Sequence, residues 1–392
     1  MNLSARRLTH LQSLSNRYYC SISASGGVGG GIINVSLLYY LWSFSYKTAV
    51  VLSLCTLCGN YLVQSLINIS KRHPLQKTRP LIYWDVVLFL LPAEMGGSQL
   101  GVVLSSVLPE TIIILISIGV LSIILPLYGL KCYHVYQEES DYLAGKKTDM
   151  SREVDTSRDG LIEGQNNDQV FTDIPFEELP PMDIPYIAVY VVLMFSILYI
   201  ILDVVENYYA KCSTAYDVAI VIMFPIIAAF TLWASNFLTK QQEINAHLIL
   251  KGDIEWSTSS YIPVLFSFTV GAISSMCGIG GGELMSPMLL YLGVRADLTT
   301  ATISLMSLLN TASSTIKYML LKDIPYGYAT LMFFIGAAAG LTGRLFALYV
   351  QDEYGRISIM IFAVCCVLLA SLVINIYDIS VSELSFTVDS FC

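Results

Sequence analysis

Apolar runs of about twenty residues recur along the chain, each long enough to cross a bilayer as a helix. They lie near residues 32–42, 48–69, 84–106, 111–130, 186–203, 217–238, 261–292, 298–321, 326–350 and 357–376. The pattern predicts an all-α, polytopic membrane protein of about ten transmembrane helices. Two of these runs meet glycine clusters. Gly27, Gly29, Gly30 and Gly31 recur as Gly278, Gly280, Gly281 and Gly282, a constant offset of 251. Hydroxylic and small residues precede each cluster, and each following apolar run reaches Tyr-Leu, at Tyr40–Leu41 and Tyr291–Leu292. A constant offset of this kind marks an internal repeat. Glycine clusters make poor helix interiors, so each copy should break the helix that holds it.

Two four-helix repeats with glycine-broken helices follow, over residues 1–131 and 261–377. Between them lie an acidic segment, 132–184, and two linking helices, 185–260; residues 378–392 form a tail. Six spans separate the two repeat starts, so the repeats are expected to share one orientation, as parallel repeats do. The polar stretch before Gly26 contrasts with the apolar half-span Tyr261–Ala272, and leads to the expectation that the sequence starts downstream of the natural start.

Composition sharpens the class. The chain is 55% hydrophobic and only 13% charged, where soluble proteins carry about 25% charged residues. The net charge of −9 is local, because residues 132–184 hold 13 acids and four bases. That segment reads as a solvated, disordered cytoplasmic insert able to recruit a partner. No basic surface for nucleic acid exists elsewhere. Bases in the loops favour a cytoplasmic placement of Lys71–Arg79, and with ten crossings both termini fall inside. Cys55 and Cys58 sit within a span with no second pair nearby, so neither a metal nor a cofactor is expected. The glycine clusters lack the following Lys-Ser or Lys-Thr and the preceding strand that a phosphate loop needs.

Several motifs together carry a family resemblance. They are the doubled glycine cluster, Lys47–Ser53, and the loop Lys71-Arg72-His73-Pro74 to Arg79-Pro80-Leu81-Ile82 with Asp85. Pro92, Gly97, Gly101 and Pro109, then Cys212–Tyr216, Gly278–Tyr318 and Leu320–Tyr326, complete the set. In this order they resemble the TauE/SafE family of sulfite exporters, in its eukaryotic branch. The resemblance implies transport of sulfite or an organosulfonate-like anion out of the cytoplasm. It also implies an apolar residue at the Glu283 position and an acid at the Lys317 position, from which this chain departs.

A broken helix exposes free N–H groups and a positive dipole end, which favour an anion. The candidate substrate contacts are therefore Gly27, Gly29, Gly30, Gly31, Gly278, Gly280, Gly281 and Gly282. Thr300, Ser304, Ser307 and Asn310 join them from the hydroxyl-rich eighth span, where Thr300, Ser304 and Ser307 share a helical face. That stripe lines a polar pathway or simply hydrogen-bonds neighbouring helices. Intramembrane charges need partners or water. Glu283 is read either as the partner of Lys317 or as the carrier of a coupling proton. Asp203 and Glu206, near a span end, read as interfacial. The function expected is a non-enzymatic secondary transporter of a small anion, embedded in lipid. The alternative is a non-transporting scaffold or receptor subunit acting through the acidic segment.

Overall fold

The computed structural model describes residues 31–42, 44–73, 79–143, 186–208, 213–244, 254, 261–294, 296–321, 326–354 and 358–381. Gly27, Gly29, Gly30 and most of the acidic segment lie outside the described residues. Within them every long element is a helix: α1 (Gly31–Trp42), α2 (Tyr46–Ile69), α3 (Trp84–Val107), α4 (Glu110–Leu143), α5 (Tyr186–Tyr208) and α6 (Thr214–Ile244). The second half supplies α7 (Tyr261–Cys277), α8 (Gly281–Tyr291), α9 (Ala296–Leu321), α10 (Tyr326–Tyr354) and α11 (Ser358–Val381). Six of them, α2 to α6 and α10, contain stretches long and apolar enough to cross a membrane. α4 continues to Leu143, into the segment read from the sequence as loop.

Helix directions follow from side-chain pairs. α2 runs from an end marked by Lys47 to an end marked by Arg72, and α3 returns. At the Lys47 end the chain enters α4, where the Lys47 N–H lies 3.4 Å from Glu110 Oε1. α10 runs alongside α2 in the same direction, with Gly336 against Thr56 and Gly340 against Asn60. α9 runs parallel to α3, because Thr302 accepts from the Tyr83 N–H and Asn310 donates to Glu94. α11 starts beside the far end of α4, where Glu139 accepts from the Ser358 N–H.

α7 is also parallel to α3: Ser267 donates to the Leu90 carbonyl, and Gly271 packs on the backbone at Glu94 and Ser98. Thus α7 and α9 start at the same end, although α8 and a short turn are all that joins them. Ser275, late in α7, lies 2.9 Å from Ser314. A Cβ on Gly282 would instead meet Ile303 and Ser307, closer to the start of α9. The segment 261–292 therefore enters, turns at its glycines and goes back. α1 likewise starts in the interior and ends where α2 begins, with Trp42 and Phe44 stacked on each other and both edge-on to Tyr328 of α10.

This corrects the parallel-repeat expectation. A segment that turns back contributes no crossing, so five helices, α2 to α6, separate α1 from α7. An odd number places the second repeat upside down relative to the first, and the repeats are inverted. Among the described residues eight helices, α2 to α6 and α9 to α11, run from end to end; the run at 261–292 turns back, and the run at 32–42 starts in the interior. α11 consequently finishes at the Lys47 end, opposite to the placement of the C-terminus expected from ten crossings. Among the described residues, Lys71, Arg72, Arg79, Lys131 and Lys240 lie at the Arg72 end, the end for which the positive-inside rule gives the cytoplasmic expectation.

Packing divides accordingly. Val35 and Leu38 of α1 join one apolar cluster with α2, α4 and the end of α9. Met285, Met288 and Leu289 of α8 join the other, with α3, α5, α6 and the start of α9. Glycines allow the closest approaches. A Cβ at Gly97 would run into the Phe268 carbonyl of α7, and one at Gly59 into the Phe333 carbonyl of α10. α5, α6, α10 and α11 turn large apolar side chains outward, as lipid-facing helices do. α9 is enclosed, which is why it tolerates its many hydroxyls.

Candidate functional site

The turn between α7 and α8 needs residues that accept a left-handed backbone, and Gly278 (φ 68°) and Gly280 (φ 80°) supply it. The turn is held from α2: the Ser53 hydroxyl lies 2.9 Å from both the Gly31 and the Gly278 carbonyl oxygens. A Cβ at Gly31 would strike the carbonyls of Gly278 and Ile279. The first residue of α1 is therefore pressed against the turn that precedes α8. From this junction α1 runs toward the Lys47 end and α8 toward the Arg72 end. Two positive dipole ends, each worth about half an elementary charge, converge at the buried centre.

Carboxyl groups of the chain itself stand at both ends. Glu283 Oε1 accepts from the Gly31 N–H at 2.9 Å, so the third residue of α8 reaches across to cap α1. At the start of α8, Glu94 of α3 occupies the space that a Cβ on Gly281 would need. Asn310 of α9 donates to Glu94 Oε1 at 3.1 Å. Glu94, Glu283 and Asn310 are all essentially inaccessible to solvent. Glu94 Oε2 and Asn310 Oδ1 are buried without a hydrogen-bond partner. Tyr61 of α2 and Ser307 of α9 flank Gly282, and Tyr128 of α4 directs its hydroxyl toward the Glu283 carbonyl at 3.5 Å.

Of the residues singled out in the sequence, Gly31, Gly281, Gly282, Glu283, Ser307 and Asn310 come together here. Gly278 and Gly280 shape the turn. Ser304 is engaged elsewhere, accepting from Asn68 of α2 at 3.3 Å. Thr300 sits near the start of α9, two residues before the Thr302 that accepts from Tyr83. Within the stripe Ser304 bonds to α2, while Ser307 and Asn310 lie beside Gly282 and Glu94.

The Glu283–Lys317 pair does not form. Lys317 Nζ lies 3.3 Å from Glu206 Oε1 and 3.7 Å from Asp203 Oδ1, all three side chains being about 1% exposed. Gln99 donates to Glu206 Oε2 at 2.6 Å, and Ser313 donates to Asp203 Oδ2 at 3.0 Å. Tyr199 closes this group by donating to the Met95 carbonyl. Asp203 and Glu206 share a face of α5 by their three-residue spacing. They looked interfacial because the apolar run stops near 203, whereas α5 continues to Tyr208. The position of Glu94 beside the start of α8 was also missed. Its signal was present, an acid inside an apolar span, but its partner was not.

The sequence profile described as Sulfite exporter TauE/SafE matches residues 20–154 and 186–372. The chain is 28% identical over 378 residues to Sulfite exporter TauE/SafE family protein 2 of Arabidopsis thaliana, covering 90% of this chain and 79% of that one. It is 24% identical to family protein 1 of the same plant, covering 93% and 82%. No solved structure matches the chain.

Proposed function

The chain belongs to the sulfite exporter TauE/SafE family, a family of membrane transporters, and we propose that it exports sulfite or an organosulfonate-like anion by secondary transport. The observation that carries this reading is the meeting of α1 and α8, whose N-termini converge on one buried point, where Gly31 already holds a carboxylate oxygen. An oxyanion recognised by backbone N–H groups would take the same place. Gly31, Gly281 and Gly282 offer their backbone there, and Ser307 and Asn310 offer polar side chains. Inverted repeats around such a junction suit alternating access, in which one repeat rocks against the other about a central site.

The test is efflux of labelled sulfite from proteoliposomes containing the full chain, with and without a pH gradient. Saturable sulfite or sulfonate flux above that of empty vesicles is the expected result. Equal flux from both vesicle preparations, for sulfite and for a panel of sulfonates, would remove the reading.

A further inference from the structure

An ionised carboxylate accepts hydrogen bonds and donates none. The Glu94 carboxyl of α3 is fully buried, and among the described residues its donor is the Asn310 amide of α9, 3.1 Å from Oε1. Its other oxygen, Oε2, is buried without a hydrogen-bond partner, and so is Oδ1 of the same Asn310 amide. Both atoms are acceptors while Glu94 is charged, so neither satisfies the other. Two orphaned acceptors on groups already joined by one hydrogen bond call for a donor between them, and a proton on Oε2 is that donor.

The surroundings do not balance a charge on Glu94. α7 meets this stretch of α3 with Phe268, Gly271 and Ala272, and α6 meets it with Ile227, none of them titratable. From α5 come Tyr199, Asp203 and Glu206, and the base that α9 brings, Lys317, lies against those two acids. Tyr61 of α2 and Glu283 of α8 are the titratable groups on the remaining sides. The start of α8 offers about half an elementary charge. Burying a carboxylate without an ion partner is costly enough that such a group takes up a proton instead. A metal cation fits less well, because the positive end of α8 stands against the same carboxyl.

We propose that Glu94 is the proton-binding site of this transporter, a carboxylic acid in the conformation described. Its Oε2–H donates to Asn310 Oδ1 while Asn310 Nδ2 donates to Glu94 Oε1. This acid–amide ring satisfies both orphaned atoms with one proton and leaves no net charge. Its role in transport rests on the reading above. When the junction opens to water, water supplies hydrogen bonds to both groups. The O–H bond then breaks, the proton leaves as hydronium and the electron pair stays on the carboxylate. Closure takes the proton back from water, so each cycle of the junction binds and releases one proton at one atom.

The experiment has two readings on the purified full chain. Infrared spectra at neutral pH, in ordinary and in heavy water, should show a deuterium-sensitive C=O band of a protonated carboxyl. Glu94→Gln should remove that band and Glu283→Gln should keep it. Asn310→Ala, which leaves the acid but not its partner, should shift it to higher frequency. Identical acid bands in wild type and Glu94→Gln would mean that Glu94 is ionised, and would overturn the proposal. Thermal unfolding in the same detergent identifies a variant that has lost its fold, and the shift in Asn310→Ala then decides. In proteoliposomes, the extra sulfite flux given by a pH gradient should be about fivefold or more larger in wild type than in Glu94→Gln, a coupling of ordinary size. Sulfite's own titration is common to both proteins. An equal increment in the two would overturn the role in transport. Absence of sulfite flux in every protein, with the Glu94 band present, would remove the transport reading and that role together while leaving the acid–amide pair.

Discussion

Two buried centres among the described residues each hold a pair of acids, and they hold them differently. In one, Lys317 lies between Asp203 and Glu206, with Gln99 and Ser313 completing their hydrogen bonds. In the other, Glu94 has an amide for its partner and Glu283 has a backbone N–H. The first places a full ammonium against its acids and ties α5, α9 and α3 into one body. The second sets Glu283 on the N-terminal N–H of α1 and Glu94 on an amide beside the start of α8. A charge held by a side-chain base belongs to the architecture; one held by a helix end is exchangeable.

Breaking the first centre should cost the most. Lys317→Met leaves two carboxylates buried without their cation, and removing one partner of a buried pair typically costs about 3–5 kcal/mol. Thermal unfolding in detergent should show this as the largest loss among the substitutions considered. Adding Asp203→Asn and Glu206→Gln to the same variant should restore most of it, since no uncompensated charge then remains.

At the second centre the effects on stability are smaller and those on transport larger. Gly281→Ala would push its methyl into the Glu94 carboxylate, and overpacking of this kind costs about 1–3 kcal/mol. Because the carboxylate must shift away from the α8 N-terminus, sulfite flux in proteoliposomes should fall more steeply than stability does. Asn310→Ala removes the hydrogen bond to Glu94, and buried interhelical bonds in membranes contribute about 1 kcal/mol. Its unfolding temperature should move least of the three, with the change in flux again the more sensitive reading. Equal losses of stability from Lys317→Met and Asn310→Ala would erase the distinction between a structural and an exchangeable charge.

Much of this was legible in the chain before folding. The positions of the helices follow from apolar runs, and the G-x-x-x-G spacing of Gly97 and Gly101 does mark a close helix contact, with α7. The break at Gly278–Gly280 was visible as a glycine cluster, and Gly281, Gly282, Ser307 and Asn310 were picked out beside Glu283. The partner of Glu283 was not visible, because it is a backbone N–H and leaves no trace in residue identity. Lys317 was assigned to Glu283 since both are rare intramembrane charges, while the acids it does meet stood just past the end of an apolar run.

By itself, the sequence determined that the chain is a helical membrane protein, and it carries a repeated glycine cluster whose second copy breaks a helix. Those properties depend on local composition and periodicity, which each segment carries without reference to the others. Only the tertiary structure decided that the broken segment turns back instead of continuing across. A glycine with positive φ permits either course, and the choice is made by what the next helix packs against: α8 finds its apolar partners near the start of α9. That single turn changes the number of crossings from even to odd, inverts the second repeat, and sets α1 and α8 end to end. The meeting of two dipoles, and the acids that fill it, exist only once the chain has folded around them.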